Sequence, residues 1–159
     1  MHFFNKYIMQ TSKLTARQTQ AWLELQKLMN DPTYIKELAN CELPFFSMAL
    51  QPHLQAGDWI KQMEQIRLRA QEANQHQWSP SSPAVQSLTK DFLLLYANVE
   101  QLQHPDEFIL KQAQHLLNAM TERILRFNKL CTIVNPEWQD ISSGMELLMQ
   151  GMQVLLAKK

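Results

Sequence analysis

Two helices separated by a short polar break, all between Trp59 and Tyr96, constrain the fold of this chain more than any other stretch. The break reads Trp78-Ser79-Pro80-Ser81-Ser82-Pro83. Ser82 is placed to cap the second helix, because its hydroxyl can accept from first-turn amides that have no intrahelical partner. Pro83 then falls at the first helical position, where its missing N–H costs nothing, and Gln86 is expected to complete a capping box. The spacing therefore predicts a helix beginning at Pro83 and another of similar length ending shortly before Trp78. Together they make a helical hairpin.

Composition extends this local reading to the whole chain. There are only three glycines among 159 residues, and Leu, Gln, Ala, Met, Lys and Glu are abundant. Unbranched side chains lose little rotamer freedom in a helix, so this bias favours helix throughout. The expected fold is an all-α, compact bundle of about five to seven helices. Residues 14–159 should form a single helical domain, with residues 1–13 an arm or short helix ahead of it. Fifteen basic and fifteen acidic residues cancel, which argues against direct nucleic-acid binding by this chain. No apolar run reaches the roughly 18 residues that a membrane span requires. Cys41 and Cys131 are isolated, as expected for reduced thiols in a cytoplasmic protein.

Capping signals divide the rest of the chain. Thr15 with Gln18 reads as a capping box, opening a helix that turns Trp22, Leu25, Leu28 and Met29 inward and stops near Asn30. Asp31-Pro32 restarts a helix with Tyr34, Ile35 and Leu38 apolar. Pro44 and Pro52 restrict Leu43–Leu54 to a short helix or folded loop, with Phe45, Phe46, Met48 and Leu50 under the body. Asp58 is expected to cap a helix whose inner stripe is Trp59, Met63, Ile66, Ala70 and Ala73. After the break, Val85, Leu88, Phe92, Leu95, Val99 and Leu102 form a stripe widened by Tyr96. Leu93 and Leu94 make that helix apolar almost all round, and hence central. His104-Pro105-Asp106-Glu107 opens a helix with the stripe Ile109, Ala113, Leu116, Met120, Ile124, Phe127. Asn135-Pro136-Glu137 opens the last one, carrying Trp138, Ile141, Met145, Leu148, Met152 and Leu155.

Catalytic chemistry finds little support in the pattern. The five histidines are scattered without a pair at metal-ligand spacing beside a third donor. Three glycines could hardly build a phosphate loop. Glu64, Asp91, Glu107 and Glu122 lie in helical patterns and should face solvent. No enzyme activity, metal or cofactor is expected. The unusual supply is of large soft side chains: nine methionines, four tryptophans and seven phenylalanines. Most such residues at helical spacing form core, but a minority lining an interhelical cleft would make an adaptable apolar site. The candidates are Trp59, Met63, Phe92, Tyr96, Trp138 and Met145. A rival expectation is an interaction module in which the Trp138–Leu155 stripe forms a homodimer seam or sits in a partner's groove.

The tryptophan-led helix at Asp58-Trp59, followed by Trp78-Ser79-Pro80-Ser81-Ser82-Pro83-Ala84-Val85-Gln86-Ser87-Leu88, resembles the effector-binding domain of MerR-type regulators, the TipA-like antibiotic-recognition family. Leu14-Thr15-Ala16-Arg17-Gln18 is similar to that family's threonine-led helix start, and Asn135-Pro136-Glu137-Trp138 to its last-helix opening. Many members follow Val-Gln-x-Leu with a basic residue and a tryptophan, where this chain has Lys90-Asp91-Phe92. The resemblance implies a globin-like, all-helical domain that encloses hydrophobic small molecules. Its role would be a drug-sequestering protein, like albicidin-binding relatives, or the sensor half of a regulator. Some relatives attach the drug to a cysteine; Cys131 is the only candidate by position, and non-covalent binding is the expectation.

Overall fold

A computed structural model describes residues 14–41, 56–95, 97 and 102–158. Among them are seven helices and no strand: α1 (Ala16–Met29), α2 (Pro32–Asn40), α3 (Ala56–Gln75), α4 (Pro83–Leu94), α5 (Pro105–Ala119), α6 (Glu122–Val134) and α7 (Trp138–Ala157). The all-α class is as expected. Phe45, Phe46, Met48, Leu50, Tyr96 and Val99 lie outside the described residues, as do the first 13.

Local caps explain most helix starts. Thr15 and Gln18 make the full reciprocal box on α1, and Gln18 Nε2 also donates to the Val134 carbonyl at 3.3 Å, tying the start of α1 to the end of α6. Asp31 accepts from Thr33 N–H at 2.9 Å and Pro32 follows at the first helical position of α2. Asn135 Oδ1 accepts from Glu137 N–H, an Asx turn that brings the chain into α7 at Trp138.

Four details depart from the sequence reading. α3 begins at Ala56, so Asp58 lies within the first turn rather than at the cap; its charge there still meets the positive end of the helix. α4 stops at Leu94 with Leu95 at its C-cap, so Leu102 lies outside the helix whose stripe it was expected to extend. The stripe from Ile109 to Phe127 is divided between two helices: α5 stops at Ala119, and Thr121 caps α6 by accepting from Ile124 N–H at 3.3 Å. Finally, Ser82 caps α4 through Val85 N–H, which makes Val85 the third helical residue and puts Gln86 one place too far along for a capping box.

Gln86 serves tertiary structure instead. Its Nε2 donates to the Pro80 carbonyl at 2.8 Å and to the Gly151 carbonyl at 3.0 Å, joining the interhelical break, α4 and α7. One turn on, Thr89 is fully buried, and its hydroxyl donates to the Val85 carbonyl at 2.8 Å. Thr89 faces Gly151 so closely that a Cβ at 151 would overlap Thr89 Oγ1. Gly144, seven residues earlier, faces Ala70 of α3, where an added Cβ would meet Ala70 Cβ at an ordinary 3.4 Å.

α7 thereby becomes the spine. One core cluster combines Ile66 and Ala70 of α3, Leu88, Phe92 and Leu93 of α4, Ile109, Ala113 and Leu116 of α5, and Leu148 and Met152 of α7. A second gathers Ala21 and Leu25 of α1, Leu130, Cys131 and Val134 of α6, and Trp138. A third holds Tyr34, Cys41, Ala119 and Ile124, with Tyr34 stacked on Phe127 at 5.5 Å. The apolar stripe of α7 that could have made a dimer seam is thus engaged inside the bundle: Trp138, Leu148 and Met152 are buried, and Ile141, Met145 and Leu155 half-buried.

Gly151→Ala should destabilise the protein by about 1–3 kcal/mol, the cost of overpacking, despite alanine's better helix propensity. Gly144→Ala should be neutral or stabilising. In urea unfolding, combining Gly151→Ala with Thr89→Ala should recover part of the loss, a non-additivity expected only of residues in contact.

Candidate functional site

Five of the six candidate residues can be placed. Phe92 is 1 % exposed in the core shared by α3, α4, α5 and α7. Met63 of α3 and Met145 of α7, both half-buried, pack at the edge of that same cluster. Phe92 thus belongs to, and Met63 and Met145 border, one core cluster. Trp138 is buried elsewhere, among α1 and α6 side chains at the start of α7. Trp59 is buried near the start of α3. The sixth, Tyr96, lies outside the described residues.

The acidic residues face solvent as expected: Glu64, Asp91, Glu107 and Glu122 are all exposed. Glu64 pairs with Arg67, Asp91 with Arg69, and Glu107 with Lys111, whose hydrogen bond and charge hold the Glu107 carboxyl below its ordinary range. Among the described residues no three His, Cys, Asp or Glu side chains converge as a metal site would require.

Both thiols are free and fully buried. Burial, assisted by the Glu37 charge, pushes the Cys41 thiol up to about 11. Its Sγ donates weakly to the Ala119 carbonyl at 3.5 Å. Burial pushes Cys131 up to about 12 against a backbone hydrogen bond that acts the other way. Tyr34 is raised too, by burial first and then by the neighbouring thiols. A thiol becomes a nucleophile only as thiolate, so neither cysteine is poised to react at neutral pH.

Two surface recesses are open to solvent. One, of about 540 Å³, runs along the polar face of α5 past Glu107, Leu110, Lys111, Gln114, His115 and Asn118. His115 Nε2 lies 2.7 Å from the Asn40 carbonyl there. The other, of about 150 Å³, sits in the α3–α4 hairpin and is lined by Arg69, Glu72, Ala73, Trp78, Ala84, Ser87 and Leu88.

That smaller recess follows from how α3 ends. Trp78 N–H donates to the Ala73 carbonyl at 2.9 Å and Gln77 N–H to the Asn74 carbonyl at 3.1 Å, with Gln77 left-handed at φ 53°. This is a Schellman closure, in which the residue after the left-handed position packs back on the helix's last turn. Trp78 is that residue. It stacks on His76 (5.4 Å, 17°) yet stays 40 % exposed. Sequence reasoning read Trp78 as a motif residue beside a turn and did not name it as a site. A large aromatic where a small apolar contact would close the helix is the signal that could have marked it.

Gln77→Gly should stabilise the protein by about 1 kcal/mol, because glycine adopts the left-handed conformation without the steric cost glutamine bears; thermal unfolding would register it. An aqueous disulfide reagent should leave Cys41 and Cys131 unmodified at pH 8 and titrate both once the protein is unfolded. Because both thiols hold their protons more tightly when folded than their ordinary 9.0, the stability they lend is complete below pH 9. It should be lost as pH rises through 11 and 12, and a Cys41→Ala, Cys131→Ala variant should show a flatter alkaline slope. No protein-family model, curated protein or solved structure matches this chain.

Proposed function

We propose that this chain is a non-catalytic helical domain that binds a hydrophobic, antibiotic-like small molecule. It would act in the cytoplasm, either sequestering the compound or serving as the sensor domain of a transcriptional regulator. The resemblance of Trp78–Leu88 and its flanking helix starts to TipA-like effector domains supports this reading. So do the two buried, protonated thiols, which leave binding non-covalent.

The observation that carries it is the arrangement at the edge of the main core. Met63 and Met145, from two helices, are half-buried against the core cluster that contains fully buried Phe92. Methionine has three soft torsions and a polarizable sulfur, so such a pair can repack around an apolar guest at little cost. Phe92 would then offer an aromatic face beneath it. Affinity would come from apolar area removed from water, at about 25 cal/mol per Å² before association costs. In a regulator, the compound must favour one arrangement of the helices over another to transmit a signal.

A thermal-shift series with hydrophobic antibiotics, read also by tryptophan fluorescence, tests this. At least one compound should raise the melting temperature and alter the emission. Met63→Leu and Met145→Leu keep volume and should cost less than about 1.5 kcal/mol of stability each, yet weaken that compound's binding. If no compound in a broad panel moves either signal and melting instead depends on protein concentration, the domain is an association module.

A further inference from the structure

The recess in the α3–α4 hairpin meets the main core cluster at Leu88, but its chemistry differs from that of the Met63 and Met145 edge. Its lining includes apolar Ala73, Ala84 and Leu88 and the Trp78 ring, which is 40 % exposed and stacked on His76. Two charged side chains stand at its rim. Arg69 is engaged by Asp91 at 2.7 Å, whereas Glu72 has no ion-pair or hydrogen-bond partner among the described residues. The recess therefore carries the Glu72 carboxylate beside the indole, with the Arg69 guanidinium held by Asp91, which does not line the recess.

Its walls are also held in place. The Schellman closure fixes the backbone of Trp78. Beyond it, Ser82 N–H donates to the Ser79 carbonyl at 2.9 Å, and Ser81 N–H donates to Ser79 Oγ at 3.2 Å. Gln86 clamps the Pro80 carbonyl, fastening this turn to α4 and α7. A side chain exposed on such a frame is preorganised, so a ligand would not have to bear the cost of ordering it. The volume, about 150 Å³, is close to that which holds one benzene ring.

The geometry points to a second ligand site here, one that accepts a small organic cation: an ammonium group on a single-ring or compact alkyl body. The aromatic face attracts the cation through its quadrupole, the Glu72 carboxylate supplies the counter-charge, and Ala73, Ala84 and Leu88 cover the apolar part. A neutral molecule of the same size gains only the last of these.

Benzyltrimethylammonium is a suitable probe and benzyl alcohol its neutral counterpart. The Trp78 indole N–H resonance, assigned with Trp78→Phe, reports on the recess alone. The cation should shift that resonance saturably, and benzyl alcohol at equal concentration should not. Glu72→Gln should weaken the cation about three- to fivefold, the range of a partly exposed electrostatic contact. Ala84→Leu, at an exposed position in the first turn of α4, should fill the recess and abolish binding without unfolding the chain. Absence of a saturable shift overturns the site. Undiminished binding in Ala84→Leu places the cation elsewhere and does the same. Equal affinity in Glu72→Gln, or equal binding of benzyl alcohol, overturns its cationic selectivity.

Discussion

The close approach of α4 and α7 at Gly151 is the contact on which the rest of the bundle depends. Only a residue without a side chain lets Thr89 lie against the α7 backbone, and only at that distance can Gln86 reach the Gly151 carbonyl while holding Pro80. A buried amide left without partners would cost about 1–3 kcal/mol, so the steric fit and the hydrogen bonds require each other. From this joint α7 extends to Gly144 against Ala70 of α3, and to Trp138 among α1 and α6. One helix thereby serves three core clusters, the third through Leu147 with Ala73 and Val85.

Local physics made the helix starts legible. Thr15, Asp31 and Ser82 cap through atoms two or three residues away, so sequence contains the whole interaction. The break between α5 and α6 was not legible, because Met120-Thr121-Glu122 has neither glycine nor proline and the apolar stripe runs across it. What fixes it is partly distant: the Thr121 hydroxyl donates to Glu37 Oε2 at 2.9 Å, and Glu37 also takes Arg123. Gln86 was misread for a related reason. Its partner at Gly151 is 65 residues away, and a local motif offered a nearer explanation.

The candidate site divides along the same line. Periodicity correctly placed Met63 and Phe92 on inward stripes, and Met145 on that of α7, but it could not say that these three share one cluster while Trp138 packs in another. Nor could it distinguish aromatics that fill core from one that stays on the surface, as Trp78 does. The two features now carry different chemistry: a soft apolar seam at the core edge that includes methionine, and an aromatic recess at a helix end bordered by Arg69 and Glu72. A domain combining them would suit compounds with an apolar body and a basic group, provided the seam can open.

That provision is the central claim, and methionine methyl groups report on it directly. With nine methionines in the chain, carbon-13 methyl labelling gives a small, assignable spectrum that can be followed while a hydrophobic antibiotic selected by thermal shift is added. Opening of the seam predicts that the Met63 and Met145 methyl signals move together and saturate at one ligand concentration. If the compound binds and both signals stay fixed, the α3–α7 seam is ordinary core and the ligand lies elsewhere.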